Sequence, residues 1–298
     1  MVLVAGSAGF LGTAVLRAAL EAGRDITALL HSTPAAVESS RTIKCDLSDR
    51  NQVAAIVAEA QPDWVVNCAA LANVDECERD PARAHRLNAE IPANLAFACA
   101  EHGARLVHIS TDSVFDGTRG MYSEDDIPHP LNVYAASKLA GEHEVAQLLP
   151  DALIVRTNFV GLANDRSAGL AGWIAASLEA NKPINGFTDV IFSPLLADTL
   201  ADIVFSMMDH SMGGVYHLSA RDAISKYDFA VELADCLGVQ SPAIAGARLA
   251  DASLAAPRPL NTSLCPTRAE GVLGFDMPVA TDAIAGFADR WRGQVAAA

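Results

Sequence analysis

No two of the six cysteines form a Cys-x-x-Cys pair, and no His/Cys group has zinc-ligand spacing. A structural zinc site of the usual spacing is therefore excluded as an organising device. Cys45, Cys68, Cys77, Cys99, Cys236 and Cys265 lie mostly in apolar stretches, which suits reduced thiols in a cytoplasmic protein. Basic runs are missing too. Lys and Arg number 21 against 36 Asp and Glu, a net charge of −15, which excludes general nucleic-acid binding. No apolar run approaches the roughly 18 residues of a membrane span. The opening "MVLVAGSAGF" lacks a basic segment and meets glycine at Gly6, so neither a signal peptide nor a membrane partner is expected. No internal repeat or low-complexity segment is present. A chain this acidic must bind an anionic small molecule with backbone N–H groups and a few placed arginines.

What is present is alternation. Short apolar runs at 1–5, 26–30, 42–45, 63–68, 105–110 and 152–156 read as strands. Helical spacing fills 10–22, the stretch after Ser48 or Asp49, Pro81 to about His102, and 133–148. Pro92 predicts a kink or two helices within the third of these. Alternating strands and helices predict an α/β fold, a Rossmann-type doubly wound parallel sheet. It occupies 1–157. Residues 158–298, with longer loops and recurring Pro and Gly, read mainly as a smaller substrate-binding lobe, with 190–210 a candidate to return to the first.

"GSAGFLG" places Gly6, Gly9 and Gly12 between the first strand and the first helix. A chain that must turn sharply and bring helix N–H groups against a diphosphate needs glycine there. The context predicts a dinucleotide loop comprising Gly6, Ala8, Gly9, Phe10, Leu11 and Gly12. NAD sites often carry an acid at the end of the second strand, to hold the ribose 2′-hydroxyl. Here that position reads His31, Ser32, Thr33, with Arg41 the nearest downstream arginine. NADP is the expected cofactor, with NAD the alternative.

"VHISTDSVFDG" starts as a strand and ends in polar residues, placing Ser110, Thr111 and Asp112 at the ligand edge of the sheet. The next element, "LNVYAASKLAGE", sets Tyr134 and Lys138 four residues apart on one helix face. Carbonyl reduction needs a donor for the oxygen on which negative charge grows. A free phenol, with a pKa near 10, is a poor proton shuttle at neutral pH, and a nearby ammonium lowers that value. The expectation is that Tyr134 donates the proton, Lys138 tunes it and Thr111 holds the substrate oxygen.

"AGSAGFLG", "PDWVVNCAA", "ISTDSVFDG", "PLNVYAASKLAGE", "LIVRTNFV", "SKYDFA" and "RPLNTSL" together resemble the extended short-chain dehydrogenase/reductase family, and within it the dTDP-4-dehydrorhamnose reductases and their relatives. The resemblance spans nearly the whole chain. It implies Thr111, Tyr134 and Lys138 as the catalytic set, Asp46 and Leu47 near the adenine, and Cys68, Ala69 and Ala70 beside the cofactor ribose. Lys138 would also hold the nicotinamide ribose. It implies a nucleotide-linked keto sugar as substrate, with Asn73, Val74, Asp112, Ser113, Asn158 and Phe159 around it. No metal is implied, and a homodimer is one assembly left open. Three positions depart from the group's usual pattern: Ser113 stands for a tyrosine, Ala135 for a glycine and Phe159 for a tryptophan.

The same residues bear on other functions. Related dehydratases carry Asp-Glu where this chain has Asp112-Ser113, which disfavours elimination of water. A C4 epimerase uses the same Tyr and Lys. A regulatory subunit that binds NADP without turnover is a third reading, and the intact residue set favours an enzyme. Arg258 reads as a diphosphate clamp or a surface-loop cap. Asp75, Glu76, Glu78 and Asp80 read as a solvated helix-start charge run rather than a cation site. His108 reads as a strand histidine, and Tyr227 and Phe229 as core and helix-start residues.

Overall fold

In the computed structural model the first six strands of the main sheet are β1 (Val2–Ala5), β2 (Ile26–Leu30), β3 (Arg41–Lys44), β4 (Trp64–Asn67), β5 (Arg105–Ile109) and β6 (Leu153–Thr157). Every strand of this sheet is parallel, and the order is Gly214–Leu218, β6, β5, β4, β1, β2, β3. The structure describes residues 1–30, 41–162, 168–240 and 242–297.

Both faces of the sheet are covered, which is why its strands are apolar at successive positions rather than alternating. Val2 and Val4 face a core built with α1 (Phe10–Glu21) and, from further along the chain, Leu200, Val204 and Met207. Leu3 and Ala5 face the opposite core, with Val53 and Val57 of α2 (Arg50–Ala60) and Leu95 and Cys99 further on. Asp49 caps α2, its side chain accepting from the N–H groups of Asn51 and Gln52.

The helical stretch beginning at Pro81 is broken. Short helices α3 (Val74–Arg79) and α4 (Pro81–His85) lead into a π turn, Arg86–Glu90, and then α5 (Ile91–His102). Pro92 cannot donate to the carbonyl of Asn88, and the π turn falls immediately before it. On the other side of that turn, α6 (Val133–Leu148) comes so close that a Cβ on Gly141 would collide with the Asn88 carbonyl.

Beyond β6, a third core joins α7 (Gly169–Glu179) and α9 (Lys226–Leu237) to the Ala280–Ala297 helix around Phe229, Phe287 and Trp291. Between α7 and α9, α8 (Ala197–Asp209) packs on α1, and Gly214–Leu218 pairs with β6. The segment that returns to the sheet layer therefore spans 197–218.

Candidate active site

Gly6 and Gly12 are fixed by the fold. Gly6 has φ +73°, and a Cβ there would lie 2.5 Å from the Ala69 nitrogen; a Cβ on Gly12 would strike the Gly6 carbonyl. Gly9 differs. Its φ of −81° suits any residue, and an added Cβ meets only the Gly6 oxygen, at 3.4 Å. Gly9 faces a cavity of about 540 Å³ with Gly6 and Ala8, Leu30, Asp46 and Leu47, and Cys68, Ala69 and Ala70. The N–H groups of Phe10, Leu11 and Gly12 precede the first α1 bond, Thr13 N–H to the Gly9 carbonyl at 2.9 Å, and no side chain caps them. Helix N–H groups beside a glycine that leaves room for close approach suit an anionic group.

Two predicted members of this loop contribute backbone alone. The Phe10 ring lies in a neighbouring cavity with Arg17 and Asp198, and Leu11 is buried in the α1 core. His31 and Ser32 lie outside the described residues. Asp46 turns its own Oδ1 onto the N–H and hydroxyl of Ser48, at 3.0 and 2.7 Å. Arg83 and Arg86 also line the cavity. Neither is legible in the sequence, where the cation expected for this cofactor stands near the end of β2 whereas these two follow β4.

Thr111 lies two residues past the end of β5 and caps the short turn Asp112–Val114, its hydroxyl accepting from Ser113 N–H at 3.2 Å. Asp112 is fully buried and accepts four hydrogen bonds, from the hydroxyls of Thr262 (2.6 Å), Thr111 (3.1 Å) and Ser113 (3.1 Å) and the amide of Asn158 (2.9 Å). Burial raises its carboxyl pKa and these bonds oppose the rise. Ser113, Asn158 and Thr262 thus serve the carboxylate, and Thr262, a role the sequence did not suggest, comes from 150 residues away.

α6 is capped by Asn132, whose side chain accepts from Ala135 N–H and donates to the Pro257 carbonyl at 2.9 Å. One face of α6 then carries Tyr134, Lys138 and Glu142 at four-residue spacing. Tyr134 is half-buried and Lys138 fully buried, with its ammonium donating to the Ile109 carbonyl at 2.6 Å. Glu142 accepts from Ser110 at 2.5 Å and forms a two-pronged ion pair with Arg156, at 2.7 Å on its closest arm.

Here the structure corrects a sequence expectation. Burial pushes the Tyr134 phenol up to about 12, with Thr111 opposing and Asp112 adding to the rise. Burial also pulls Lys138 down to about 8, against the attraction of Glu142. Desolvation leads that rise, so the phenol sits above the value of a free one rather than below it.

The acidic stretch is a second correction. It is engaged rather than simply solvated: Asp75 holds Arg258 at 2.9 Å, Glu76 pairs with Arg83, Glu78 accepts from Val133 N–H, and Asp80 caps α4. Among the described residues no group of three or more His, Cys, Asp or Glu could hold a metal ion. Arg258 ties its loop to α3 through Asp75 and to the Ala256 carbonyl. Asn73 caps α3, Val74 is its first residue, and Phe159 packs on the α1-side core. His108 is buried against Asn67, with a pKa far below the usual range because burial disfavours its charge. Lys226 borders a second cavity of about 390 Å³ with Trp173, Asn185 and Phe187. Burial lowers its pKa, Asp112 opposes and Arg258 adds, which puts this ammonium in the field of the same cluster.

The family described as RmlD substrate binding domain matches residues 1–292. The chain belongs to that family. Family relatives include the probable low-salt glycan biosynthesis reductase Agl14 of Haloferax volcanii, 34% identical over 95% of each chain. A dTDP-4-dehydrorhamnose reductase of Mycolicibacterium smegmatis is 32% identical over 90% of this chain and 78% of its own. Among solved structures, dTDP-4-dehydrorhamnose reductase of Bacillus anthracis, in complex with NADP, superposes with TM-score 0.86. It is 27% identical, and the match covers 96% of this chain and 97% of that one. Among the described residues no helix is long and apolar enough to cross a membrane, and all six cysteines are free thiols.

Proposed function

We propose that this family member is an NAD(P)H-dependent reductase of a nucleotide-linked 4-keto sugar, with Tyr134 as proton donor. The observation that carries the reading is the convergence of Thr111, Tyr134 and Lys138 at the ligand edge of the sheet, beside a loop shaped for a dinucleotide. The printed names of the relatives support it.

When bound, the nicotinamide supplies the hydride that adds to the carbonyl carbon. The chain's own residues handle the oxygen. A phenol near 12 is protonated at neutral pH and is matched to an oxygen becoming an alkoxide, so it holds its proton until charge develops. Thr111 orients that oxygen, and the Lys138 ammonium keeps positive charge beside the phenol as it gives up its proton. The cofactor is held by N–H groups of α1 and by the walls of the 540 Å³ cavity. The cavity of Trp173, Phe187 and Lys226 is the place this reading gives to the nucleotide part of the substrate. Asp112–Ser113 offers no second base, and this favours reduction over water elimination.

Purified protein is expected to oxidise NADPH in the presence of dTDP-4-dehydrorhamnose, monitored by loss of nicotinamide absorbance. Tight NADPH binding with no oxidation of this or other 4-keto nucleotide sugars would leave the regulatory-subunit reading in its place. The pH dependence has a definite sign. Lys138 is charged below about 8 and loses its proton above it, so kcat/KM for reduction should fall as pH rises through about 8. A rate flat from pH 7 to 10 would remove the ammonium from the mechanism.

Gly9→Ala separates ligand from fold. The protein backbone accepts the methyl, so the melting temperature should stay put while dinucleotide affinity drops about tenfold or more, as blocked approach costs charged hydrogen bonds. Calorimetry and fluorescence titration read the two effects; unchanged affinity would show that Gly9 does not face the diphosphate.

A further inference from the structure

Arg86 opens the π turn and lines the cavity with Gly6, Gly9 and Ala69. Among the described residues its guanidinium has no hydrogen bond or ion pair, whereas that of its neighbour Arg83 is held by Glu76. We propose that Arg86 is a cofactor-binding residue whose guanidinium pairs with the diphosphate of the dinucleotide. This rests on the cofactor reading above.

Charge gives the first reason. A diphosphate brings two negative charges to a chain of net charge −15, and Asp46 borders the same cavity. The N-terminus of α1 offers about half a unit of positive charge, and its first turn holds no basic side chain. Of the described residues lining this cavity, only Arg83 and Arg86 are cations.

Topology decides which phosphate. The sheet runs β4, β1, β2, so the glycine loop at the end of β1 lies between the other two strand ends. In this fold the ribose 2′ position belongs to the end of the second strand. Arg86 stands on the opposite side, on the chain that leaves β4. The Gly6 loop is pressed against that segment, at Ala69. From the β4 side the guanidinium meets the diphosphate over the glycine loop before it reaches a 2′-phosphate beyond β2.

The backbone that carries Arg86 is held in place. Within the π turn, Asn88 accepts from Leu71 N–H at 2.8 Å and donates to the Leu71 carbonyl and the Ser137 hydroxyl. Leu71 follows Ala70 directly, so the turn and the β4 end form one unit. A π turn changes the direction of the side chains it carries, and such turns often mark functional sites.

The test is direct binding. Dissociation constants for NADPH and NADH would be measured by fluorescence titration on wild type, Arg86→Ala and Arg86→Lys, with melting temperatures as a folding control. Arg86→Ala should weaken both dinucleotides by about tenfold and by the same factor, the loss expected for one charged hydrogen-bond partner. Arg86→Lys should recover part of it, and the melting temperature should not move. Unchanged affinities would overturn the assignment. So would a loss confined to NADPH, which would put the guanidinium on the 2′-phosphate. Failure of the wild-type protein to bind either dinucleotide would overturn the cofactor reading and this assignment together.

Discussion

Tyr134→Phe should fold, bind NADPH with wild-type affinity and lose turnover by about 10²- to 10⁴-fold, the range for removing a positioned general acid. The ring is kept and only the hydroxyl goes, so packing on α6 is preserved. No hydrogen-bonded group nearby replaces the proton. His108 lies buried and neutral, and Asp112 spends its oxygens on four other donors. Lys138 is engaged with the Ile109 carbonyl. Steady-state rates, with dinucleotide titration alongside, make the check. Turnover within threefold of wild type would remove Tyr134 from the chemistry.

Arg156→Met should cost about 3–5 kcal/mol of stability, the range for breaking one half of a buried ion pair. Arg156 and Glu142 are both nearly inaccessible, with side-chain exposures of 7% and 3%. Removing the guanidinium leaves a buried carboxylate with the Ser110 hydroxyl as its hydrogen-bond donor and only the more distant attraction of the Lys138 ammonium. It also removes the cation that stands over the Phe115 ring at 5.4 Å. Chemical denaturation would read the loss. Pairing the change with Glu142→Leu should return much of it, because the stranded charge is then gone. A single-variant loss under 1 kcal/mol would show that the pair is solvated after all.

The sheet was legible because a parallel strand buried on both faces leaves an apolar run that little else imitates; "MVLVA" and "DWVVNC" are examples. The glycine loop was legible because its position between strand and helix supplies the meaning. Tyr134 and Lys138 were legible through helical spacing. What stayed hidden was set by tertiary contact. No spacing reveals that Thr262 reaches Asp112, or that Asp75 and Arg258 are partners 183 residues apart. The phenol's raised pKa was hidden for the same reason: the lysine is visible in sequence at i+4, whereas the burial that drives the rise belongs to the packed structure. The π turn was half visible, since Pro92 announces a break and cannot say which kind.

The segment 256–262 bonds to the elements of the candidate site at three separate anchors: Pro257 to the cap of α6, Arg258 to α3, and Thr262 to Asp112. This makes it a poor module for exchange. A loop transplanted from a relative to alter sugar preference would bring its own side chains to Asn132, Asp75 and Asp112, and each mismatch would disturb the helix that carries the phenol. Redesign of specificity in this protein therefore has to treat the loop and its three distant anchors as one inherited unit, even though the sequence scatters them over nearly two hundred positions.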